Sequence, residues 1–100
     1  MDTYVIRRRN AWATPEELEV AAARSRKVGD EEMSDQVRWI RSYVVKEDDG
    51  TLGTVCIYQG VSEEAIRDHA ARADLAADEI TPVAGTVIVR DDPAEPPTPA

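Results

Sequence analysis

The sequence of 100 residues contains no Phe, a single Cys and a single His. One Cys excludes an internal disulfide and the thiolate-rich sites that hold structural zinc or iron–sulfur clusters. The N-terminus lacks the basic start and apolar run of a signal peptide, and no apolar stretch approaches the roughly 18 residues of a membrane-spanning helix. We therefore expect a protein of the reducing cytoplasm that has no membrane partner.

Positive charge is also scarce, because 12 Lys and Arg stand against 20 Asp and Glu and give a net charge of −8. Phosphate backbones and anionic lipids repel such a surface, so we predict no nucleic-acid partner. Hydrophobic residues make up 42% of the chain, which is typical of a globular protein. We predict one domain over residues 1–90, followed by a disordered, acidic and proline-rich tail over residues 91–100.

Local signals divide the domain into six elements. Thr14 and Ser62 are typical helix caps, and each is followed by acidic residues that suit a helix N-terminus. Gly29 is placed to end the first helix. Strand patterns cover residues 3–9, 36–46, 53–59 and 79–90. The order βαββαβ predicts a ferredoxin-like α+β fold, an antiparallel sheet with two helices on one face. Pro82 and Gly85 predict that the final strand is kinked into two short pieces.

Apolar residues occupy both faces of the predicted sheet, although only one face should be covered by helices. Simple alternation places Trp39 and Tyr43 on one face of the second strand, and Cys56 and Tyr58 on one face of the third. We predict that a second copy or a ligand covers the aromatic face, because contiguous exposed aromatic patches usually mark interfaces. The alternative is that the rings stay half-exposed. The candidates for the pocket or dimer face are Trp39, Tyr43, Tyr58 and Cys56.

No group of residues predicts catalysis. Cys56 lies in mid-strand between aliphatic neighbours, as an inert packing thiol does, and no glycine-rich phosphate loop is present. Arg7, Arg8 and Arg9 are predicted as solvent-exposed and ion-paired residues, since no longer basic stripe accompanies them. The sequence leaves enzymatic activity open and favours a protein without one.

His69 is the one imidazole available to a metal ion. Its helix offers no second ligand three or four residues away, so carboxylates would come from Asp74 and Asp78 just beyond the helix. Imidazole with carboxylates and water suits nickel or zinc better than calcium. Two interpretations of His69 stay open. It is either a ligand of a divalent-cation site formed with Asp74 and Asp78, or a core histidine with one nitrogen hydrogen-bonded.

Three segments together resemble a family of small bacterial nickel-binding proteins whose domain is otherwise of unknown function. They are residues 37–44 (VRWIRSYV), 55–58 (VCIY) and 62–70 (SEEAIRDHA). The resemblance implies a ferredoxin-like subunit, a homodimer and surface binding of nickel or another divalent cation, with no confirmed enzymatic reaction. His69 and Cys56 are the positions that match the family and have ligand chemistry. Gln59 stands where the family usually has an acidic residue.

Three functional hypotheses follow. The resemblance favours a non-enzymatic homodimer that binds a divalent cation. The alternative is a dimeric small-molecule-binding protein or cofactor-free enzyme with an aromatic pocket around His69, by analogy with other ferredoxin-like dimers. A third hypothesis is a regulatory dimer that binds another protein through the proline-rich tail. The sequence identifies neither a ligand nor a pathway.

Overall fold

The computed structural model describes residues 1–92 and has the predicted element order. The sheet is antiparallel with strand order β2-β3-β1-β4, which confirms the ferredoxin-like α+β fold. Among residues 1–92, neither helix has the length and apolarity needed to cross a membrane. The elements are β1 (Asp2–Trp12), α1 (Pro15–Lys27), a π-helical turn (Val28–Glu32), β2 (Val37–Lys46), β3 (Leu52–Gly60), α2 (Glu63–Arg72) and β4 (Glu79–Pro82).

Both helices begin at the predicted caps. Thr14 Oγ1 accepts a hydrogen bond from the Glu17 amide at 3.2 Å, and Ser62 Oγ accepts one from the Ala65 amide at 3.1 Å. Each bond satisfies a backbone N–H that has no partner within its helix. The starts of both helices are therefore encoded locally.

The end of α1 differs from the prediction. Gly29 was expected to end the helix, but the chain continues through it as the π-helical turn, and Gly29 is buried. A Cβ atom at Gly29 would lie 3.6 Å from His69 Nε2, which is ordinary van der Waals contact, so α2 packs beside this turn. Gly29 therefore lies inside a continuing helical turn rather than at a helix end.

The hydrophobic core lies between the sheet and the two helices. The α2 residues at helical spacing that face the sheet are nearly inaccessible to solvent. The sheet contributes alternate residues of β1 and β3. The buried members from these elements include Ile6, Arg8, Cys56, Tyr58, Ile66 and His69. We call the other side of the sheet, which carries Val5, Tyr43 and Ile57, the outer face.

A β-bulge in β2 changes which residues share a face. The pairing of β2 with β3 shifts between Trp39 and Arg41, so Ile40 is an extra residue. An extra residue reverses the alternation of side chains beyond it. Trp39 therefore faces the helices and Tyr43 lies on the outer face. The prediction that these two rings share a face is wrong, because simple alternation does not account for the bulge.

The chain after β4 also departs from the prediction. The second short piece of the final strand is not formed, and residues 83–92 contain no strand. Val83 still donates to the Thr3 carbonyl at 2.9 Å, after which the chain leaves the sheet edge. Pro82 has no N–H to contribute to a ladder, which favours an end to pairing here. The segment then passes over the outer face, and the predicted tail lies outside the described residues from residue 93 onward.

Candidate functional site

The three residues predicted to bind a metal ion do not share one environment. His69 is fully buried, and its Nε2 lies 3.1 Å from the Ser25 carbonyl oxygen. Asp74 and Asp78 are exposed. Asp74 follows α2 with a positive φ of 56°, and Asp78 accepts a hydrogen bond from the Arg9 amide at 2.6 Å. The histidine thus packs in the core, while the aspartates belong to the surface connection.

The described part of one chain does not fit a bound nickel ion. Over residues 1–92, no three His, Cys, Asp or Glu side chains are grouped closely enough to hold a metal. Within the same range His69 Nδ1 has no hydrogen-bond partner, but it is a single buried nitrogen and no group of three ligands forms around it. The predicted set of His69, Asp74 and Asp78 does not assemble within one chain.

Burial determines the protonation state of His69. Removal from water lowers the pKa of the imidazole, the hydrogen bond to Ser25 opposes this effect, and the nearby Arg8 charge lowers the pKa further. The ring is therefore neutral at neutral pH. Because the Ser25 carbonyl can only accept, Nε2 carries the proton of the neutral ring.

A cleft of about 780 Å³ lies between α1 and the sheet. Its volume is in the range of small-molecule sites. Three of the four predicted pocket residues, Trp39, Cys56 and Tyr58, line it, whereas Tyr43 lies on the outer face. His69 packs behind Tyr58 with the ring centroids 5.2 Å apart. Hence the pocket lies on the cleft side of Tyr58 rather than around His69.

The aromatic side of the cleft is a stacked pair of rings whose polar atoms are hydrogen-bonded. Trp39 and Tyr58 stack with centroids 6.0 Å apart and planes within 6°. The Tyr58 hydroxyl is 2.9 Å from Ser25 Oγ, and Trp39 Nε1 donates to Ser42 Oγ at 2.8 Å. Burial raises the pKa of Tyr58 to about 12, so its hydroxyl stays protonated at neutral pH. The pair therefore presents an apolar aromatic surface.

A buried guanidinium forms part of the cleft floor. Arg8 is only 1% exposed, and its Nη1 lies 3.2 Å from Cys56 Sγ. The guanidinium carbon is 5.8 Å from the centroid of the Tyr58 ring. Within residues 1–92, Nε and Nη2 are buried without hydrogen-bond partners. An uncompensated buried charge costs on the order of several kcal/mol, so this arginine requires an explanation.

Sequence reasoning missed Arg8 by treating the three arginines of β1 together. Arg7 pairs with Glu47 at 2.9 Å and Arg9 with Glu79 at 2.8 Å, as predicted. For Arg8 the prediction is wrong. Its position two residues after Ile6 was the available signal, since alternation places it on the buried face.

The centre of the outer face is apolar and incompletely covered. Val5 and Ile57 are half-buried, while Tyr43 is 48% exposed. A gap of about 920 Å³ separates this face from the segment 83–92. The Tyr43 hydroxyl donates to Asp92 at 3.0 Å, but Val87, Ile88 and Val89 point largely into solvent. The face therefore has the composition of an interface rather than of a solvated surface.

Comparisons with known proteins agree with this architecture. A family profile described as "Nickel responsive protein SCO4226-like" matches residues 4–83. The crystal structure of SCO4226 from Streptomyces coelicolor A3(2) superposes with a TM-score of 0.67 at 23% sequence identity. The match covers 85% of the present chain and 99% of the other. No curated protein sequence matches the chain.

Proposed function

The chain belongs to the SCO4226-like family of nickel-responsive proteins, and on this basis we propose that it is a non-enzymatic homodimer that binds Ni²⁺ or another divalent cation. The family match is the observation that carries the proposal. The net charge of −8 supports it, because an acidic surface attracts cations. Since residues 1–92 of one chain assemble no ligand set, the proposed ligands come from two copies.

The outer face is the proposed dimer interface. Its centre consists of Val5 and Ile57, and Tyr43 lies toward one edge. The helices cover the opposite side of the sheet, so a second copy would bury apolar surface that one chain leaves partly wet. Such burial contributes roughly 25 cal/mol per Å² before the costs of association. The exposed side chains of residues 87–89 would add to that surface.

A charge placed on the outer face tests both parts of the proposal. Protein without a His tag is titrated with NiCl₂ by calorimetry, and its mass is measured by sedimentation equilibrium. We expect a wild-type dimer that binds Ni²⁺, and a monomeric Ile57→Lys variant whose Ni²⁺ affinity falls by about tenfold or more, because buried like charges oppose association. Val20→Lys on α1, where Val20 is 64% exposed, is the matched control and should behave as wild type.

Two outcomes would contradict this proposal. A dimeric Ile57→Lys variant would show that the outer face is not the interface. A monomeric variant with unchanged Ni²⁺ affinity would show that one chain supplies the ligands. Circular dichroism verifies that Ile57→Lys is folded, and Tyr43→Lys, at a more exposed position, repeats the test if it is not.

Binding of a small molecule is a second candidate function. The cleft favours it, because about 780 Å³ of space is bordered by the stacked Trp39 and Tyr58 rings. Trp12 also lines the cleft, so both tryptophans of the chain report on it. A bound molecule should change their fluorescence in the wild-type protein. Unchanged fluorescence across a panel of small aromatic compounds would contradict this candidate.

A further inference from the structure

The buried arginine of the cleft indicates what kind of molecule the cleft takes. We propose that its ligand is a small monocarboxylate with an apolar body, whose carboxylate is received by the guanidinium of Arg8. This inference rests on the second candidate function, small-molecule binding in the cleft. Its observations are the burial of Arg8, its two unpartnered donors and the chemistry of the surrounding walls.

No described residue neutralises the Arg8 charge. Its guanidinium contacts the Cys56 thiol and the Tyr58 ring, and neither group carries a carboxylate. The carboxylates that line the cleft belong to exposed residues of α1 and the π-helical turn, and none of them bonds to Arg8 within the described range. These residues are Glu16, Glu19 and Asp30. A ligand anion would supply the missing counter-charge where water is largely excluded.

The free donors of Arg8 match a carboxylate. Nη1 is directed at Cys56 Sγ, whereas Nε and Nη2 are without partners in residues 1–92. These two N–H groups form one edge of a planar fork, which binds the two oxygens of a carboxylate in parallel. A phosphate dianion is less suitable, because Arg8 is the one buried cation among the described residues that line the cleft and it supplies a single positive charge.

The rest of the cleft selects an apolar body for the ligand. The Trp39 and Tyr58 rings have their polar atoms already bonded, and Leu18 and Ala21 of α1 line the opposite side. Because Arg8 is 1% exposed, the carboxylate must reach the floor of the cleft, and the flexible arginine stem must turn its free edge toward it. The apolar part of the ligand then occupies the space between α1 and the rings.

A matched pair of probes tests the carboxylate directly. Phenylacetate and phenylacetamide have the same ring and nearly the same shape, but only the first is an anion. Calorimetric titration of the full chain should show phenylacetate binding at least about tenfold more tightly than the amide, because a charge-assisted pair is lost with the amide. Indole N–H signals of Trp12 and Trp39 in the NMR spectrum should shift with phenylacetate.

Variants assign the effect to Arg8. Arg8→Met removes the charge from a side chain of similar length and should abolish the preference for phenylacetate over the amide. Arg8→Lys keeps the charge but lacks the edge with two donors, so its affinity for phenylacetate should fall by about tenfold. Arg67→Met is the matched control, since this exposed arginine of α2 pairs with Glu63 and does not line the cleft. It should bind phenylacetate with wild-type affinity.

The outcomes separate this inference from the function on which it rests. Equal affinity for acid and amide, or an undiminished preference in folded Arg8→Met, would overturn the carboxylate assignment while small-molecule binding stands. Absence of binding by both probes into the millimolar range would overturn both. If Arg8→Met does not fold, as judged by its NMR spectrum, the comparison of Arg8→Lys with wild type decides the assignment.

Discussion

His69 shows how a titratable side chain can serve packing. The ring is held between the Ser25 carbonyl and the Tyr58 ring, and an added methyl at Gly29 would come within van der Waals distance of it. A charged imidazole in this position would lose its hydration and lie near the charge of Arg8. The fold therefore selects the neutral ring, and this preference makes stability depend on pH.

Stability should fall as the pH decreases below 6.5, the ordinary pKa of histidine. The pKa of His69 is lowered in the folded protein, so the unfolded chain binds this proton first and gains stability relative to the folded chain. The loss is complete once the pH lies below the folded pKa. Urea denaturation between about pH 5 and pH 7 measures it, in a range where most carboxylates remain ionised.

His69→Gln is the control for this dependence, because glutamine can donate to Ser25 but does not titrate. Its unfolding free energy should change less than that of wild type across the same range. A slope of equal size in the variant would show that other groups cause the effect. Asp68 precedes the histidine and its charge raises the histidine pKa, so Asp68→Asn should steepen the wild-type dependence.

The inward position of His69 was predictable, whereas the burial of Arg8 was not recognised. Helical spacing with Ile66 and Ala73 places His69 on the apolar face of α2, and the structure confirms it. Arg8 lies between two arginines that do form ion pairs with carboxylates. The run of three arginines therefore predicts an exposed Arg8, while the alternation of β1 predicts a buried one. Buried cations are rare, so composition favours an exposed arginine, but the alternation of β1 is correct.

At the scale of elements, β3 and α2 approach each other closely at Gly60. A Cβ atom there would lie 2.7 Å from Ile66 Cδ1, and Ile66 is fully buried, so it has little room to move. Gly60→Ala should lower the unfolding free energy by about 1–3 kcal/mol through overpacking. Chemical denaturation of both proteins measures the difference.

Gly85→Ala is the matched control for this substitution, because a Cβ atom at Gly85 would meet nothing within 4 Å. Its stability should stay within about 0.5 kcal/mol of wild type, as for most surface substitutions. A Gly60→Ala variant as stable as Gly85→Ala would mean that Ile66 relaxes without cost. In that case the close approach of β3 and α2 would not be required by the packing.

The order of elements could be predicted because its signals are local. Thr14 and Ser62 cap the helices, and the Asp49-Gly50 turn separates β2 from β3, with Gly50 at a positive φ of 87°. No comparable local sequence signal marks the bulge at Ile40, since apolar residues occur in β2 both before and after this position. It determines that Trp39 joins the cleft and Tyr43 does not. The order of elements was therefore more predictable than the residues that meet in the site.

At the scale of the whole molecule, family membership and geometry point to different surfaces. The family is named for its response to nickel, but the described part of one chain groups no ligands for it. If two copies supply the ligands, metal binding and association are thermodynamically linked, and each must strengthen the other by the same factor. A chain of net charge −8 also repels its own copy, and a bound cation relieves part of that repulsion.

This linkage predicts that Ni²⁺ tightens the dimer. Sedimentation equilibrium of tag-free protein, with and without Ni²⁺ at saturating concentration, should show the dimer dissociation constant falling by about tenfold, within the usual range of coupling between sites. Mg²⁺ at the same concentration is the control for charge screening, because it binds nitrogen and mixed ligand sets more weakly than Ni²⁺. If both ions lower the dimer dissociation constant equally, nickel acts only by screening the negative charge. If Ni²⁺ binds tightly but the dimer dissociation constant does not change, the ligands lie within one copy and the proposal of a shared site is wrong.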